Sequence, residues 1–154
     1  MWWISLAVAA ALALGCGGDK AASAAPAASG SQAGGLTAFE TEHGIGPVKE
    51  PVSLGAPDHE MAEAGEKVFE GKCSACHKMD EKYVGPALRQ VTGRRTPAYI
   101  MNMILNPQEM VERHPVAKQL LAEHMTFMPN QGLTRDEARQ VVEYLRSEAA
   151  EKKD

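Results

Sequence analysis

The sequence predicts an all-α protein, and three observations lead to that class. In several segments beyond residue 57, apolar residues recur three and four positions apart, the spacing of one helix face. Residues that favour helix starts, such as Asp, Thr and Pro, precede those segments. No segment shows the alternating pattern of a β-strand, and the sequence contains no internal repeat.

The first predicted helix follows Asp58, whose side chain can cap it. A glycine inside a helix costs about 1 kcal/mol relative to alanine. We therefore expect Gly65 to be compensated by the close approach of another helix. The apolar stripe of this first helix comprises Met61, Ala64, Gly65, Val68 and Phe69.

This helix ends at Cys73-Ser74-Ala75-Cys76-His77, and C-x-x-C-H is the attachment signature of c-type haem. Each thiol can add to one haem vinyl group, and the adjacent imidazole can then ligate the iron. A thioredoxin-like C-x-x-C would instead follow a strand in a βαβ pattern. A zinc site would need a second Cys or His pair at ligand spacing. We predict one covalent haem c, bound through Cys73 and Cys76, with His77 as an axial ligand.

The low content of aromatic residues is what a domain with a large planar cofactor in its core would show. Aromatic residues make up only 5% of the 154-residue chain, so a haem ring would supply much of the core of a single domain. The net charge is −4 and the basic residues are scattered, which argues against nucleic acid as a partner.

The residues after the motif predict a turn at Gly85-Pro86. Proline offers a carbonyl and no amide proton, so Pro86 can accept a hydrogen bond from Nδ1 of His77. That bond would fix the tautomer of the imidazole and strengthen it as an iron ligand. The alternative is an ordinary loop proline.

Three further helices are predicted. Thr96-Pro97 is a cap followed by an N1 proline, and Asn106-Pro107 stops or kinks the helix that begins there. Another helix follows Pro115, and Thr134 with Glu137 forms a capping box for the last one. The stripe of the last helix comprises Val141, Val142, Tyr144 and Leu145.

The irregular stretch before the last helix contains two candidates for the second axial ligand. A His/Met pair raises the potential of a haem and suits electron transfer, whereas an open distal side suits gas binding or peroxide chemistry. Met128 is the predicted distal ligand because Pro129 restricts the backbone beside it. Met125 is the alternative methionine ligand. Either methionine can instead simply pack in the core. A further alternative is a bis-histidine haem, with His114 or His124 as the second ligand.

The order and spacing of these motifs resemble a class I monohaem cytochrome c over residues 58–150. The resemblance implies that the N- and C-terminal helices cross, with the haem covalently bound in the core. It also implies that Pro86 accepts from His77 and that Met128 is the distal ligand. The matching motifs are Gly65 with Phe69, Cys73–His77, Gly85-Pro86-Ala87-Leu88, Met128-Pro129 and Tyr144-Leu145.

Two details refine this resemblance. Residues 78–86 and 101–107 resemble exported cytochromes of nitrous-oxide-reducing bacteria. The predicted domain contains no Trp, so the partner of a haem propionate must come from elsewhere, and Arg94 and Arg95 are candidates.

The N-terminal third predicts export. Residues 1–15 form an apolar segment of signal-peptide length, shorter than the roughly 20 residues of a membrane-spanning helix. Cys16 follows Leu12-Ala13-Leu14-Gly15, which resembles the lipobox of bacterial lipoproteins and implies acylation of that cysteine. The alternative is an ordinary secretory signal and a soluble periplasmic protein. We expect residues 16–57 to form a flexible linker, and residues 151–154 a charged tail. The alternative for the run Gly44-Ile45-Gly46-Pro47-Val48 is that it packs on the domain.

These features predict a monomeric, lipid-anchored one-electron carrier on the periplasmic side of a bacterial membrane, rather than an enzyme. It would take electrons from a quinol-oxidising membrane donor and pass them to a terminal reductase or oxidase. A haem enzyme of peroxidase type and a gas or redox sensor, both with a labile distal ligand, are the alternatives. The basic residues Lys72, Lys78, Lys82 and Arg89 either steer an acidic partner towards the haem edge or form a solvated surface.

Overall fold

The computed structural model describes residues 35–151. The predicted signal peptide, Cys16, linker residues 17–34 and tail residues 152–154 lie outside the described residues. The described part contains helices and no strand, so the all-α prediction is confirmed. No helix within residues 35–151 has the length and apolar character needed to cross a membrane. The helices are α1 (Ala38–His43), α2 (His59–Lys72), α3 (Val91–Arg94), α4 (Pro97–Leu105), α5 (Pro107–Arg113), α6 (Pro115–His124) and α7 (Arg135–Glu151).

Helices α2 and α7 cross and form the most extensive packing contact between any two elements described. The crossing point is Gly65, where an added Cβ would overlap the carbonyl oxygen of Gln140. One turn further along, the rings of Phe69 and Tyr144 lie 5.3 Å apart at 51°. The close approach expected from a glycine in mid-helix is therefore confirmed.

The start of α2 is fixed to α7 by a buried carboxylate. Glu143 is only 1% exposed and accepts from the backbone N–H of Asp58 at 3.0 Å. Arg139 and Arg146 donate to the same carboxylate at 2.8 and 2.7 Å. Burial acts to raise the pKa of Glu143, but these three hydrogen bonds outweigh it and hold that pKa below its ordinary value. The Asp58 side chain also caps α2, as predicted, by accepting from the Met61 N–H at 3.0 Å.

Residues 37–48, here called the strap, correct the linker prediction. The sequence predicts a flexible segment as far as residue 57, but Ile45 and Val48 are 1% and 0% exposed. Asn102 of α4 is fully buried beneath the strap. Its Oδ1 accepts from Val48 N at 2.9 Å, and its Nδ2 donates to the carbonyls of His43 and Val48 at 3.0 Å each. The strap is thus part of the domain, because its apolar side chains are buried and the buried Asn102 amide bonds the His43 carbonyl and both backbone groups of Val48.

The predicted helix starts are present. Thr96 Oγ1 accepts from Tyr99 N at 3.2 Å, and the Thr134 capping box is complete, with bonds of 3.2 and 2.7 Å to Glu137. Of the two outcomes expected at Asn106-Pro107, the helix stops rather than kinks, and Asn106 lies at the break. It is both the C-cap of α4 and the N-cap of α5, so the chain ends one helix and begins another at Pro107.

Candidate haem-binding pocket

The end of α2 presents the two cysteines and the histidine to a common cavity of about 370 Å³. The α-helical hydrogen-bond spacing continues into the motif, with bonds from Cys73 N to Phe69 O at 2.8 Å and from His77 N to Cys73 O at 2.9 Å. Cys73, Cys76 and His77 all line the resulting wall, here called the proximal wall. The motif residues predicted to bind haem are thus brought together by one helix end.

His77 is held by the loop that follows it. Its Nδ1 donates to the carbonyl oxygen of Pro86 at 3.1 Å, which leaves Nε2 with its lone pair for a metal. Gly85 lies against the ring so closely that an added Cβ would overlap Cε1 of His77. Burial lowers the pKa of His77, and the Pro86 hydrogen bond opposes this only in part, so the imidazole is held neutral. Neutral imidazole is the form that ligates iron.

Neither cysteine of the motif forms a disulfide. Burial, together with the neighbouring Cys76, raises the pKa of the Cys73 thiol to about 11. Two thiols beside one imidazole are the groups that covalent haem attachment requires.

The segment between α6 and α7 also lines the cavity, and its contribution, here called the distal wall, carries Met128. Met128 is half-buried and packs against the main apolar cluster. Met125 is 85% exposed and is not among the lining residues, so the structure brings only one of the two candidate methionines to the pocket. Met103 of α4 also lines the cavity, and sequence reasoning missed it because α4 is apolar on nearly every side.

The two histidines considered for a bis-histidine haem occupy different places. His114 is 1% exposed, donates from Nε2 to Thr41 O at 3.1 Å and accepts from Val116 N at 3.2 Å. Both of its ring nitrogens are therefore engaged away from the pocket. His124 lines the pocket, with its Nδ1 3.3 Å from the carbonyl of Val84.

One part of the pocket lining is rich in hydrogen-bond donors. Arg94, Arg95 and Tyr99 all line it, and the Tyr99 hydroxyl is buried with no partner among the described residues. The Arg95 guanidinium lies 5.3 Å from the centroid of the Tyr99 ring. Burial raises the pKa of Tyr99, so the hydroxyl keeps its proton and can act as a donor. The two arginines were predicted from the sequence, whereas Tyr99 was missed because only its unpartnered hydroxyl distinguishes it from other buried residues of α4.

These residues fit a covalent haem. The proximal wall has two thiols and an imidazole, the distal wall has a thioether, and the donors can receive two propionates. Gly85 leaves the His77 ring no alternative position on its side. Among residues 35–151, no three His, Cys, Asp or Glu residues form a group that could hold a metal ion.

Comparison with known proteins gives a consistent result. The family model described as "Cytochrome c" matches residues 62–149. The solved cytochrome c from Rhodothermus marinus is 49% identical, with a TM-score of 0.70, and the alignment covers 73% of this chain and 97% of that one.

Two curated relatives match over shorter stretches. Cytochrome c2 of Rhodopseudomonas palustris is 46% identical over 44 residues, which is 29% of this chain and 31% of the relative. Cytochrome c-551 of Stutzerimonas stutzeri is 49% identical over 35 residues, which is 22% of this chain and 34% of the relative. The chain thus spans about a third of the length of these curated relatives.

Proposed function

Because the chain belongs to the cytochrome c family, which binds haem c covalently, we propose that it is a one-electron carrier with His77 and Met128 as axial ligands. The observation that supports this proposal is that His77 and Met128 both line one pocket. When bound, haem supplies a one-electron change at its iron, and the protein sets the potential and the access to it.

The residues of the chain have distinct tasks in this proposal. Cys73 and Cys76 hold the ring, and the Pro86 carbonyl orients His77 through Nδ1. The Met128 thioether raises the potential relative to a harder ligand. Arg94, Arg95 and the Tyr99 hydroxyl receive the propionates. The apolar lining, with residues such as Ile104 and Leu145, excludes water and raises the potential further.

Export and partners extend the proposal. We infer that residues 1–15 direct export and that Cys16 carries the lipid that holds the protein on the periplasmic side of a membrane. The protein would receive its electron from a quinol-oxidising membrane complex and pass it to a terminal oxidase or reductase. The resemblance of residues 78–86 and 101–107 to cytochromes of nitrous-oxide-reducing bacteria favours a reductase as the acceptor.

The axial ligation is tested by absorption spectroscopy of the oxidised holoprotein. We expect a charge-transfer band from the Met sulfur to the iron in the wild type, lost in Met128→Ala and retained in the matched control Met125→Ala. A band that persists in Met128→Ala would contradict the assignment, and Met103→Leu would then identify the other lining methionine. Rapid carbon monoxide binding by the wild-type ferrous protein would favour the enzyme or sensor alternative instead.

Acylation is tested by mass spectrometry of the mature N-terminus. We expect lipid on Cys16, and release of a soluble holoprotein from membranes in Cys16→Ser. An unmodified Cys16 would leave a soluble periplasmic carrier and would not affect the haem assignment.

A further inference from the structure

Among residues 35–151, the Tyr99 hydroxyl is the buried polar side-chain group that lacks a hydrogen-bond partner. Tyr99 is 4% exposed and lines the haem pocket. A hydroxyl buried in this way costs free energy unless something bonds to it. The carboxylate of a haem propionate is an acceptor that the pocket would supply, so the position of the Tyr99 ring decides whether that bond can form.

Two side chains pack against the ring of Tyr99. The His114 ring meets it edge to face, with centroids 5.2 Å apart and the two planes at 78°. The Arg95 guanidinium lies over the ring, 5.3 Å from its centroid. Edge-to-face contacts favour one mutual orientation of the rings, so a rotation of Tyr99 would lose its contact with His114.

His114 is itself fixed by backbone groups of two different segments. Its Nε2 donates to the Thr41 carbonyl of the strap at 3.1 Å, and its Nδ1 accepts from the Val116 N–H at 3.2 Å as the N-cap of α6. Because one ring nitrogen donates and the other accepts, the two bonds select the neutral tautomer with the proton on Nε2. The imidazole is only 1% exposed, so it joins the strap to α6 inside the domain.

The strap also reaches Tyr99 through the first turn of α4. The Tyr99 N–H donates to Thr96 Oγ1 at 3.2 Å, and the same hydroxyl oxygen lies 2.9 Å from Nδ1 of His43 in the strap. Ile45 of the strap belongs to the same apolar cluster as Tyr99. Both the backbone and the ring of Tyr99 are therefore held by contacts that lead to the strap.

Resting on the carrier function proposed above, we propose that His114 is a positioning residue that, held by the strap, fixes the Tyr99 ring so that its hydroxyl donates to a haem propionate. An uncompensated propionate charge favours the ferric iron, which carries one more positive charge, so a donor to that propionate raises the midpoint potential. His114 is not among the residues that line the pocket. It can therefore act on the haem only through its neighbours.

The test is a double-mutant cycle in which the midpoint potential of the holoprotein is measured by spectroelectrochemical titration. Tyr99→Phe removes only the hydroxyl, and His114→Asn keeps a good N-cap acceptor for Val116 but loses the ring and the bond to Thr41. We expect each single variant to lower the equilibrium constant for reduction about three- to tenfold, which is about 30–60 mV at 59 mV per tenfold change. In the Tyr99→Phe background, His114→Asn should change it less than about 1.5-fold, because the hydroxyl through which it acts is gone.

Amide hydrogen exchange followed by mass spectrometry tests the contact with the strap separately. His114→Asn removes the donor to Thr41, so exchange within residues 37–48 should be faster, whereas Tyr99→Phe should leave it unchanged. The control is Glu143→Gln, which weakens the contact between α2 and α7 outside the pocket lining. It should change neither the potential nor the exchange of the strap.

Additive shifts of potential in the double variant would overturn the proposal, because His114 would then act independently of Tyr99. An unchanged potential in His114→Asn would overturn it as well. If that variant yields no holoprotein, His114→Gln replaces it in the same cycle with the same expected result, since its longer amide reaches towards Thr41 but lacks the ring. A wild-type holoprotein without a reversible one-electron couple would instead overturn the carrier function itself.

Discussion

The proximal and distal walls of the haem pocket are attached to the domain in different ways. The loop after the C-x-x-C-H motif is held by successive backbone hydrogen bonds, among them Gly85 N to Cys76 O at 2.8 Å and Leu88 N to Lys78 O at 3.1 Å. The distal segment is tied to another element by a side chain, since Asn130 Nδ2 donates to Leu105 O at 3.0 Å. The proposed proximal ligand, His77, is therefore held by a loop with several backbone bonds, whereas we expect the segment of the proposed distal ligand, Met128, to open more easily.

The largest expected effect comes from separating α2 from α7, because their packing supports the helix that carries the proximal wall. In Gly65→Ala the new methyl group would overlap the Gln140 carbonyl, so α2 and α7 must separate. We expect a loss of about 3 kcal/mol in the free energy of unfolding, measured by denaturant titration of the holoprotein. The control is Gly71→Ala in the same helix, where a Cβ meets nothing within 4 Å. It should be neutral or stabilising by up to about 1 kcal/mol, and equal losses at both sites would contradict the crossing.

The second prediction compares one glycine from each wall. Gly85→Ala forces the His77 ring away from its position, because the backbone of the loop is fixed on both sides. We expect a loss of about 2 kcal/mol and a lower yield of covalent holoprotein, measured by haem staining.

Gly132 is the distal counterpart, with φ +67° and open space around it. Gly132→Ala should cost about 1 kcal/mol of backbone strain alone and leave haem attachment intact. A holoprotein yield as low as that of Gly85→Ala would mean that the two walls are equally constrained.

Features that depend on the local sequence could be predicted, whereas features that depend on distant residues could not. The C-x-x-C-H motif and the caps at Asp58 and Thr134 were predictable because each depends on residues near one another in the chain. The close approach at Gly65 was predictable from the cost of a glycine inside a helix, although its partner Gln140 is distant in the sequence. The strap was mistaken for linker because its partner, Asn102, lies more than 50 positions away. Met103 and Tyr99 were missed because most side chains of α4 are buried, so periodicity does not show which of them face the cofactor.

The third prediction concerns the carboxylate that joins α2 to α7. Glu143→Gln should cost about 1–2 kcal/mol near neutral pH, discounted because Arg139 and Arg146 are partly exposed. The folded-state pKa of Glu143 lies below its unfolded value, so its contribution is complete above an unfolded pKa of about 4.5. It is lost as the pH falls through the folded-state pKa. Unfolding titrations of both proteins from pH 7 to 3 should therefore converge in acid, and a constant gap would contradict this assignment.

The smallest expected effect comes from Asn130, and it tests how firmly the distal segment that carries Met128 is held. Asn130→Ala removes the bond to Leu105 O and the acceptor for Gly132 N, which lies 2.8 Å from Oδ1. Because both bonds are exposed, the global loss should stay below about 1 kcal/mol. The local effect should be clearer, since a less restrained segment releases its ligand more often.

Stopped-flow mixing of the ferrous protein with carbon monoxide measures that release. We expect Asn130→Ala to bind carbon monoxide severalfold faster than the wild type, with nearly unchanged thermal stability. The control Gln108→Ala removes an exposed side-chain bond on α5, away from the pocket, and should leave the rate unchanged. A faster rate only in Asn130→Ala would locate the weaker attachment in the distal segment. Unchanged binding would mean that the apolar packing of Met128 against the core, rather than this amide, keeps the distal wall closed.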